Sequence, residues 1–167
     1  MTVQRLAIEP LTVEAFATFG TVIPPTDHTV GFGPHDAKLD LTQGTPRFYT
    51  MSIPGRGLAV EQITRHRRVT QVLASAGNLD WAIAVAPPEN LDDPDAEPSL
   101  ETIRAFRVPG DTAIMLAAGT WHAGPLFDPD EDGGERSFFN LELADTNVVD
   151  HHDCSLVQRY STTLLLV

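Results

Sequence analysis

Cysteine is nearly absent from this chain, since Cys154 is the single one among 167 residues. It has no partner for an intramolecular disulfide, and no paired-cysteine pattern of a zinc ribbon occurs, so we expect a reducing, cytoplasmic environment. Basic residues are also few, 11 against 23 acidic ones, and the formal net charge is -12. Because such a charge repels phosphate backbones and anionic headgroups, we expect neither nucleic acid nor a membrane surface as a partner.

Long apolar runs are missing as well. The N-terminal segment MTVQRLAIEPLTVEAF carries Glu9 and Glu14 and no continuous apolar core, so we expect neither a signal peptide nor a membrane anchor. We find no internal repeat and no linker between domains. The length suits one domain with one core, and residues 1–167 are therefore interpreted as a single domain.

Short runs rich in Thr, Val, Ile and aromatic residues, separated by Gly and Pro turns, predict β-strands. They occupy residues 47–53, 58–66, 70–75, 81–85, 103–108, 113–116, 119–126 and 138–143. Their spacing of about ten residues is typical of an all-β sandwich or barrel. A ligand in such a barrel binds at its open mouth.

One short helix is predicted near the N-terminus, with Thr12 as its N-cap and Gly20 just past its end. Three segments are loop-like in composition: residues 26–38, 87–98 and 128–135. The first is interpreted either as a mobile lid or as a loop without a specific role. The other two are acidic and are expected to be solvated.

Two segments carry residues at the spacing of the metal-binding motifs of cupins, H-x-H-x(3,4)-E-x6-G and G-x5-P-x-G-x2-H. The matching residues are His66, Gln71 and Gly77 in the first, and Gly110, Gly119 and His122 in the second. The chain thus resembles the cupin superfamily, which implies a double-stranded β-helix, that is, a jelly-roll barrel. It also implies one divalent metal ion on His66, Gln71 and His122. Because Thr64 and Gln71 replace the usual His and Glu, this set lacks a negative charge and would bind a metal weakly.

Five further stretches share the order and spacing of one family within the cupins. They are LTVEAFATFG (11–20), GTPRF (44–48), TRHRRVTQ (64–71), PSLETIRAF (98–106) and MLAAGTWHAGPL (115–126). Over most of its length the chain resembles the ureidoglycolate lyases, which split ureidoglycolate into glyoxylate and urea in allantoin breakdown. The resemblance implies that activity, a small anionic substrate and a homodimer.

The chain departs from that family at several polar positions. The family has Glu, Pro, N-Y-H-R and a second His where this sequence has Thr64, Arg67, residues 115–118 (MLAA) and Ala123. Two rival interpretations therefore stay open. One is an isomerase, hydrolase or decarboxylase acting on another small hydroxy or keto acid, and the other is a non-catalytic cupin that binds a small acid.

The resemblance also implies site residues. Arg47 or Arg65 would clamp the substrate carboxylate, and Gln71 and Trp121 would contact the substrate. His66 or His122 would take the proton of the α-hydroxyl group. The alternatives are structural, because these arginines could face solvent and pair with acidic loops, and Trp121 could belong to the core.

Three features near the C-terminus allow more than one interpretation. Glu142 alternates with apolar neighbours, so it is either a buried carboxylate for acid–base catalysis or, the interpretation we favour, an outward surface residue. Adjacent histidines on an extended segment face opposite ways, so residues 151–154 (HHDC) are interpreted as a solvated tail and not a metal cluster. The apolar residues 164–167 either form a dimer contact or pack on their own barrel.

Overall fold

The computed structural model describes residues 1–129 and 134–167. The central part of the predicted acidic loop 128–135 lies outside these residues. The strands are β1 (Thr2–Leu6), β2 (Ile8–Pro10), β3 (Gly20–Ile23), β4 (Pro46–Pro54), β5 (Ala59–Val60), β6 (Gln62–Arg65), β7 (Gln71–Ser75), β8 (Trp81–Ala86), β9 (Arg104–Val108), β10 (Ala113–Leu116), β11 (Trp121–Leu126), β12 (Glu135–Leu143), β13 (His152–Ser155) and β14 (Thr162–Leu166). The helices are α1 (Val13–Phe16), α2 (Thr146–Val149) and α3 (Leu156–Tyr160), with one 3-10 turn at Leu100–Thr102.

Two sheets form the barrel. One has the strand order β3-β10-β7-β12-β4 and the other β13-β6-β11-β8-β9-β2. From β6 to β12 the chain passes repeatedly from one sheet to the other, as a double-stranded β-helix requires. The predicted all-β jelly-roll barrel of the cupin type, with a short N-terminal helix, is confirmed.

The space between the two sheets is partly filled by a hydrophobic core. Phe138, Leu73 and Ile114 of the five-stranded sheet pack in one cluster with Phe106 and Ile83 of the six-stranded sheet. All five side chains are at most 1% exposed. Because this packing fills only part of the barrel, the remaining interior is open for a cavity.

A third, small sheet covers the back of the six-stranded sheet. Its order is β1-β14-β5, and Leu164 and Leu166 of β14 pack in a second core cluster with Ala84 and Trp121. Strand β8 is therefore buried on both faces. This packing decides between the two interpretations of the apolar C-terminal residues, because they pack on their own barrel.

The predicted run 58–66 is divided in the structure. Its first part, β5, pairs with β14, whereas β6 pairs with β11 and β13. The prediction of one continuous strand was wrong because the chain changes sheets at Glu61. Strands β1, β2, β3, β13 and β14 were not predicted.

The N-terminal helix begins as predicted and ends earlier. The Thr12 side chain accepts a hydrogen bond from the Ala15 backbone N–H at 3.1 Å. Helix α1 ends at Phe16, and Gly20 is the first residue of β3, so the prediction of Gly20 as the helix stop was wrong. Glycine is needed there because a Cβ on Gly20 would lie 1.8 Å from the Met115 carbonyl oxygen of the neighbouring strand.

Removal of this cap gives a first testable prediction. The substitution Thr12→Ala deletes the only side-chain acceptor at the start of α1 and is expected to lower the free energy of unfolding by about 1 kcal/mol. Chemical denaturation measures the change. Thr18→Ala, at an exposed position beyond the helix, is the matched control and should leave the denaturation midpoint unchanged. Equal midpoints for the two variants would show that the cap contributes nothing.

Within the described residues, no helix has the length and apolar character to cross a bilayer.

Candidate functional site

A cavity of about 680 Å³ opens between the two sheets beside the hydrophobic core. Strand pairing brings the two cupin-type segments together on its wall, because His122 of β11 pairs with Thr64 of β6, two residues before His66. The imidazole centroids of His66 and His122 are 5.3 Å apart. Gln71, at the start of β7, lines the same cavity. The predicted convergence of these three residues is thus present in the structure.

Both imidazoles are held by backbone carbonyl groups. His66 Nδ1 lies 2.7 Å from the Asp150 carbonyl oxygen, and His122 Nδ1 lies 3.2 Å from that of Thr120. A carbonyl oxygen only accepts, so each Nδ1 carries the hydrogen and each Nε2 keeps its lone pair. Burial lowers the pKa of His66, and burial together with the neighbouring His66 lowers the pKa of His122 to about 3. Both rings are therefore neutral acceptors at neutral pH.

Glu142 is buried, with 1% of its surface exposed, and it lines the cavity. The favoured interpretation of Glu142 as an outward surface residue was therefore wrong. Its Oε1 accepts hydrogen bonds from the Tyr49 hydroxyl at 3.1 Å and from Asn147 Nδ2 at 3.3 Å. Its Oε2 accepts one from Gln71 Nε2 at 3.4 Å. Three donors thus converge on one carboxylate inside the barrel.

The amide of Gln71 is held in one orientation. Its Nε2 donates to Asn140 Oδ1 at 3.1 Å as well as to Glu142, whereas its Oε1 is buried without a hydrogen-bond partner. Asn140 in turn donates from Nδ2 to the Tyr49 hydroxyl oxygen at 3.0 Å. We call Tyr49, Gln71, Asn140, Glu142 and Asn147 the polar wall of the cavity.

The three residues predicted to bind a divalent metal ion form a weak set of ligands. His66, His122 and Gln71 offer two imidazole nitrogens and one amide oxygen, all neutral. The described parts of the chain contain no group of three or more His, Cys, Asp or Glu side chains placed to hold a metal ion. On the nearby Glu142 carboxylate, Oε1 already accepts two hydrogen bonds and Oε2 accepts a long one from Gln71. These residues do not fit a resident divalent ion.

Arg65 does not line the cavity, although it was predicted to contact the substrate. It is fully buried, and its guanidinium donates to the backbone carbonyl oxygens of Glu89 at 2.9 Å and Asp93 at 2.7 Å. Its Nε donates to His152 Nδ1 at 3.1 Å. The guanidinium carbon lies 4.7 Å from the Trp121 ring centroid. Arg65 therefore fastens the loop 87–98, which is held to the barrel instead of being fully solvated.

Two other predicted substrate contacts do not line the cavity. Trp121 is 1% exposed and belongs to the core cluster behind the six-stranded sheet. Arg47 lies with its guanidinium carbon 3.6 Å from the Tyr49 ring centroid. No residue of 26–38 lines the cavity either, so that segment is not a lid over it.

The cationic residue on the cavity is Arg56, which sequence reasoning missed. It is exposed, lies between β4 and β5 and lines the cavity. It forms no hydrogen bond or ion pair with the described residues. The composition of the Pro-Gly-Arg-Gly turn gave no signal, because only the closure of the barrel brings this turn to the cavity.

His151 was missed as well. Its ring lines the cavity, 5.6 Å from that of His66, and its Nε2 lies 3.1 Å from Asp153 Oδ1. The interpretation of 151–154 as a solvated tail was wrong, because β13 pairs with β6 and buries Cys154. An even alternation of polar and apolar residues is absent from this segment, so no sequence pattern indicated a strand.

Comparisons with known proteins place the chain in a family. The family model for ureidoglycolate lyase matches residues 32–158. The chain belongs to the ureidoglycolate lyase family. Two proteins named ureidoglycolate lyase, from Burkholderia mallei strains NCTC 10229 and NCTC 10247, are each 31% identical to it over 131 residues, which is 71% of this chain and 73% of theirs.

One solved structure is also similar to this ureidoglycolate lyase family member. It comes from work on the substrate binding mode and a reaction specificity switch in oxalate decarboxylase. The TM-score is 0.40 and the sequence identity 10%, over 80% of this chain and 38% of the other.

The departures from the ureidoglycolate lyase motifs lie in different parts of the structure. Thr64 and Ala123, where the family has Glu and its second His, both line the cavity, whereas Arg67 does not. Met115 and Leu116 lie in β10, are buried, and do not line it. The changes at Thr64 and Ala123 alter the cavity wall directly, and those in β10 alter the barrel core.

Proposed function

We propose that this protein cleaves ureidoglycolate into glyoxylate and urea in the cavity between the two sheets. Family membership supports the reaction class. The observation that carries the proposal is the position of Glu142, a carboxylate buried in the same cavity as two neutral imidazoles. Such a group is suited to move one proton within a small bound substrate.

The reaction requires a single proton to change atoms. The O–H bond of the α-hydroxyl group breaks, its oxygen forms the glyoxylate carbonyl, the C–N bond opens, and the departing nitrogen gains a proton. We assign this transfer to Glu142, which accepts the hydroxyl proton and returns it to the urea nitrogen. The hydrogen bonds from Tyr49 and Asn147 hold the carboxylate in place for both steps.

The histidines have a different part in the proposed reaction. A histidinium ion with a pKa of about 3, as for His122, is more acidic than an ordinary carboxylic acid. His122 is therefore a weak proton acceptor, and we assign to it and His66 the task of accepting a hydrogen bond from the substrate. Arg56 is assigned to the substrate carboxylate, in place of Arg47 and Arg65.

The direct test is incubation of the purified protein with racemic ureidoglycolate, with glyoxylate and urea measured over time. Stoichiometric release of both products is expected. If small hydroxy acids raise the melting temperature while no product forms, the protein is a binder and the proposal is wrong. A parallel sample dialysed against EDTA should keep its activity. Loss of activity that added metal restores would contradict the protein-only proton transfer.

A smaller effect is predicted for the cation on the cavity. Arg56→Ala removes the proposed carboxylate contact and is expected to raise KM about tenfold, because one charge-assisted hydrogen-bond pair is lost. Since Arg56 touches no reacting atom, kcat should change much less. Steady-state kinetics separates the two parameters. Arg107→Ala, at an exposed position of β9, is the control. An unchanged KM in Arg56→Ala would remove Arg56 from substrate binding.

A further inference from the structure

Each donor atom of the polar wall already has an acceptor within the wall. The Tyr49 hydroxyl and Asn147 Nδ2 donate to Glu142, and Asn140 Nδ2 donates to Tyr49. Gln71 Nε2 donates to Asn140 and, more weakly, to Glu142. Asn140 and Asn147 each keep one further amide hydrogen, but no donor atom of the wall is without a partner.

The acceptors of the wall are not used up. Gln71 Oε1 has no partner, although the residue is only 7% exposed. Glu142 Oε2 receives only the long contact from Gln71. Across the cavity, His66 and His122 each use Nδ1 as the donor, and neither Nε2 has a hydrogen-bond partner among the described residues. On the polar wall and the two imidazoles, the side-chain atoms that lack any partner among the described residues are therefore acceptors.

Such a wall selects which end of a ligand it receives. A buried acceptor without a partner raises the free energy of the empty site, and a ligand N–H group that donates to it removes this cost. A carboxylate, in contrast, brings more acceptors and a negative charge next to Glu142. The only cation lining the cavity that is free of partners among the described residues is Arg56, in the β4–β5 turn and outside this wall.

We infer that the polar wall binds the ureido end of the substrate, with its N–H groups directed to Gln71 Oε1 and Glu142, while the carboxylate lies toward Arg56. This inference rests on the proposed function and adds the orientation of the substrate and the residues that set its specificity. It places the departing nitrogen beside Glu142, the group assigned to protonate it. It also distinguishes the substrate of this protein from simple hydroxy or keto acids, because those acids have no end that is rich in N–H groups.

The experiment uses ligands that cannot be cleaved. N-carbamoylglycine has the ureido and carboxylate groups of the substrate but lacks the hydroxyl group. N-acetylglycine replaces its terminal NH₂ with a methyl group, and succinamate replaces its internal N–H with CH₂. Titration calorimetry on the wild-type protein gives the three dissociation constants. N-carbamoylglycine is expected to bind about tenfold more tightly than either analogue, because each analogue leaves one acceptor unpaired. Equal or tighter binding of N-acetylglycine would overturn the inference.

Two variants test which residues cause the preference for N-carbamoylglycine over N-acetylglycine. Gln71→Met keeps the side-chain length and removes the amide oxygen, so the preference for N-carbamoylglycine over N-acetylglycine should fall toward one. Arg56→Ala should weaken both ligands and keep their ratio. If Gln71→Met does not fold, Asn147→Ala, an exposed position on the wall, tests the same ratio. A ratio that no wall variant changes would contradict the assignment to the polar wall.

The failure of this inference can be distinguished from that of the proposed function. If the protein releases urea from ureidoglycolate without preferring N-carbamoylglycine, the activity stands and the orientation is wrong. If it prefers N-carbamoylglycine without releasing urea, the ureido site stands and the lyase proposal is wrong.

Discussion

Glu142→Gln is expected to lower kcat for urea release by roughly 10³-fold, the range of general acid–base catalysis. Glutamine has nearly the same shape but cannot accept the hydroxyl proton, so the transfer from oxygen to nitrogen loses its carrier. KM should rise much less than kcat falls, since the carboxylate contact at Arg56 is retained and the glutamine amide oxygen still accepts a hydrogen bond from the ureido group. Steady-state kinetics with ureidoglycolate gives both values, and circular dichroism verifies that the variant is folded.

The same strand supplies the control for this prediction. Glu135 begins β12, is exposed and lies at its opposite end, so Glu135→Gln makes the identical chemical change away from the cavity. It should keep wild-type kcat. If Glu142→Gln retains more than about a tenth of the wild-type kcat, the carboxylate is not the proton carrier, and the step must be assigned to another group on the cavity.

The second large effect concerns stability. Arg65→Met is expected to lower the free energy of unfolding by about 3 kcal/mol, because the loop carbonyl groups of Glu89 and Asp93 lose the buried guanidinium that donates to them. For a chain of this size that corresponds to a fall in melting temperature of roughly 6–12 °C. Thermal denaturation followed by circular dichroism measures it. The loop 87–98 should also become more susceptible to limited proteolysis.

Arg107→Met serves as the reference for this substitution, since Arg107 is exposed on β9 and no partner holds it in the described structure. Its melting temperature should match that of the wild type. A comparably small change in Arg65→Met, with the loop 87–98 still resistant to protease, would mean that the buried guanidinium contributes no net stability.

The sequence allowed the barrel and part of the site to be predicted. The convergence of His66, Gln71 and His122 was predictable because their spacing resembles that of the cupin motifs. The strand pattern from β4 to β12 was predictable as well. Short alternating runs between Gly and Pro turns carry most of that information.

Side-chain direction was less predictable, because it depends on which layers cover each sheet. The small outer sheet covers part of the back of the six-stranded sheet, so Arg65 and Trp121 are buried on that side although both are polar or amphipathic. Alternation could not decide the face of Glu142, since both neighbours, Leu141 and Leu143, are apolar. Arg56 and His151 reach the cavity only through long-range packing, which no local pattern indicates.

The small outer sheet has a consequence for how the protein is made. In this sheet the parallel strands β1 and β14 pair Thr2 with Thr162. Two neighbouring residues of the sheet are thus separated by nearly the whole length of the sequence. During synthesis β1 emerges first and remains without its partner until β14 leaves the ribosome. Contacts between residues so distant along the chain form slowly. Until they form, the apolar back of the sheet that carries His122 stays open to water.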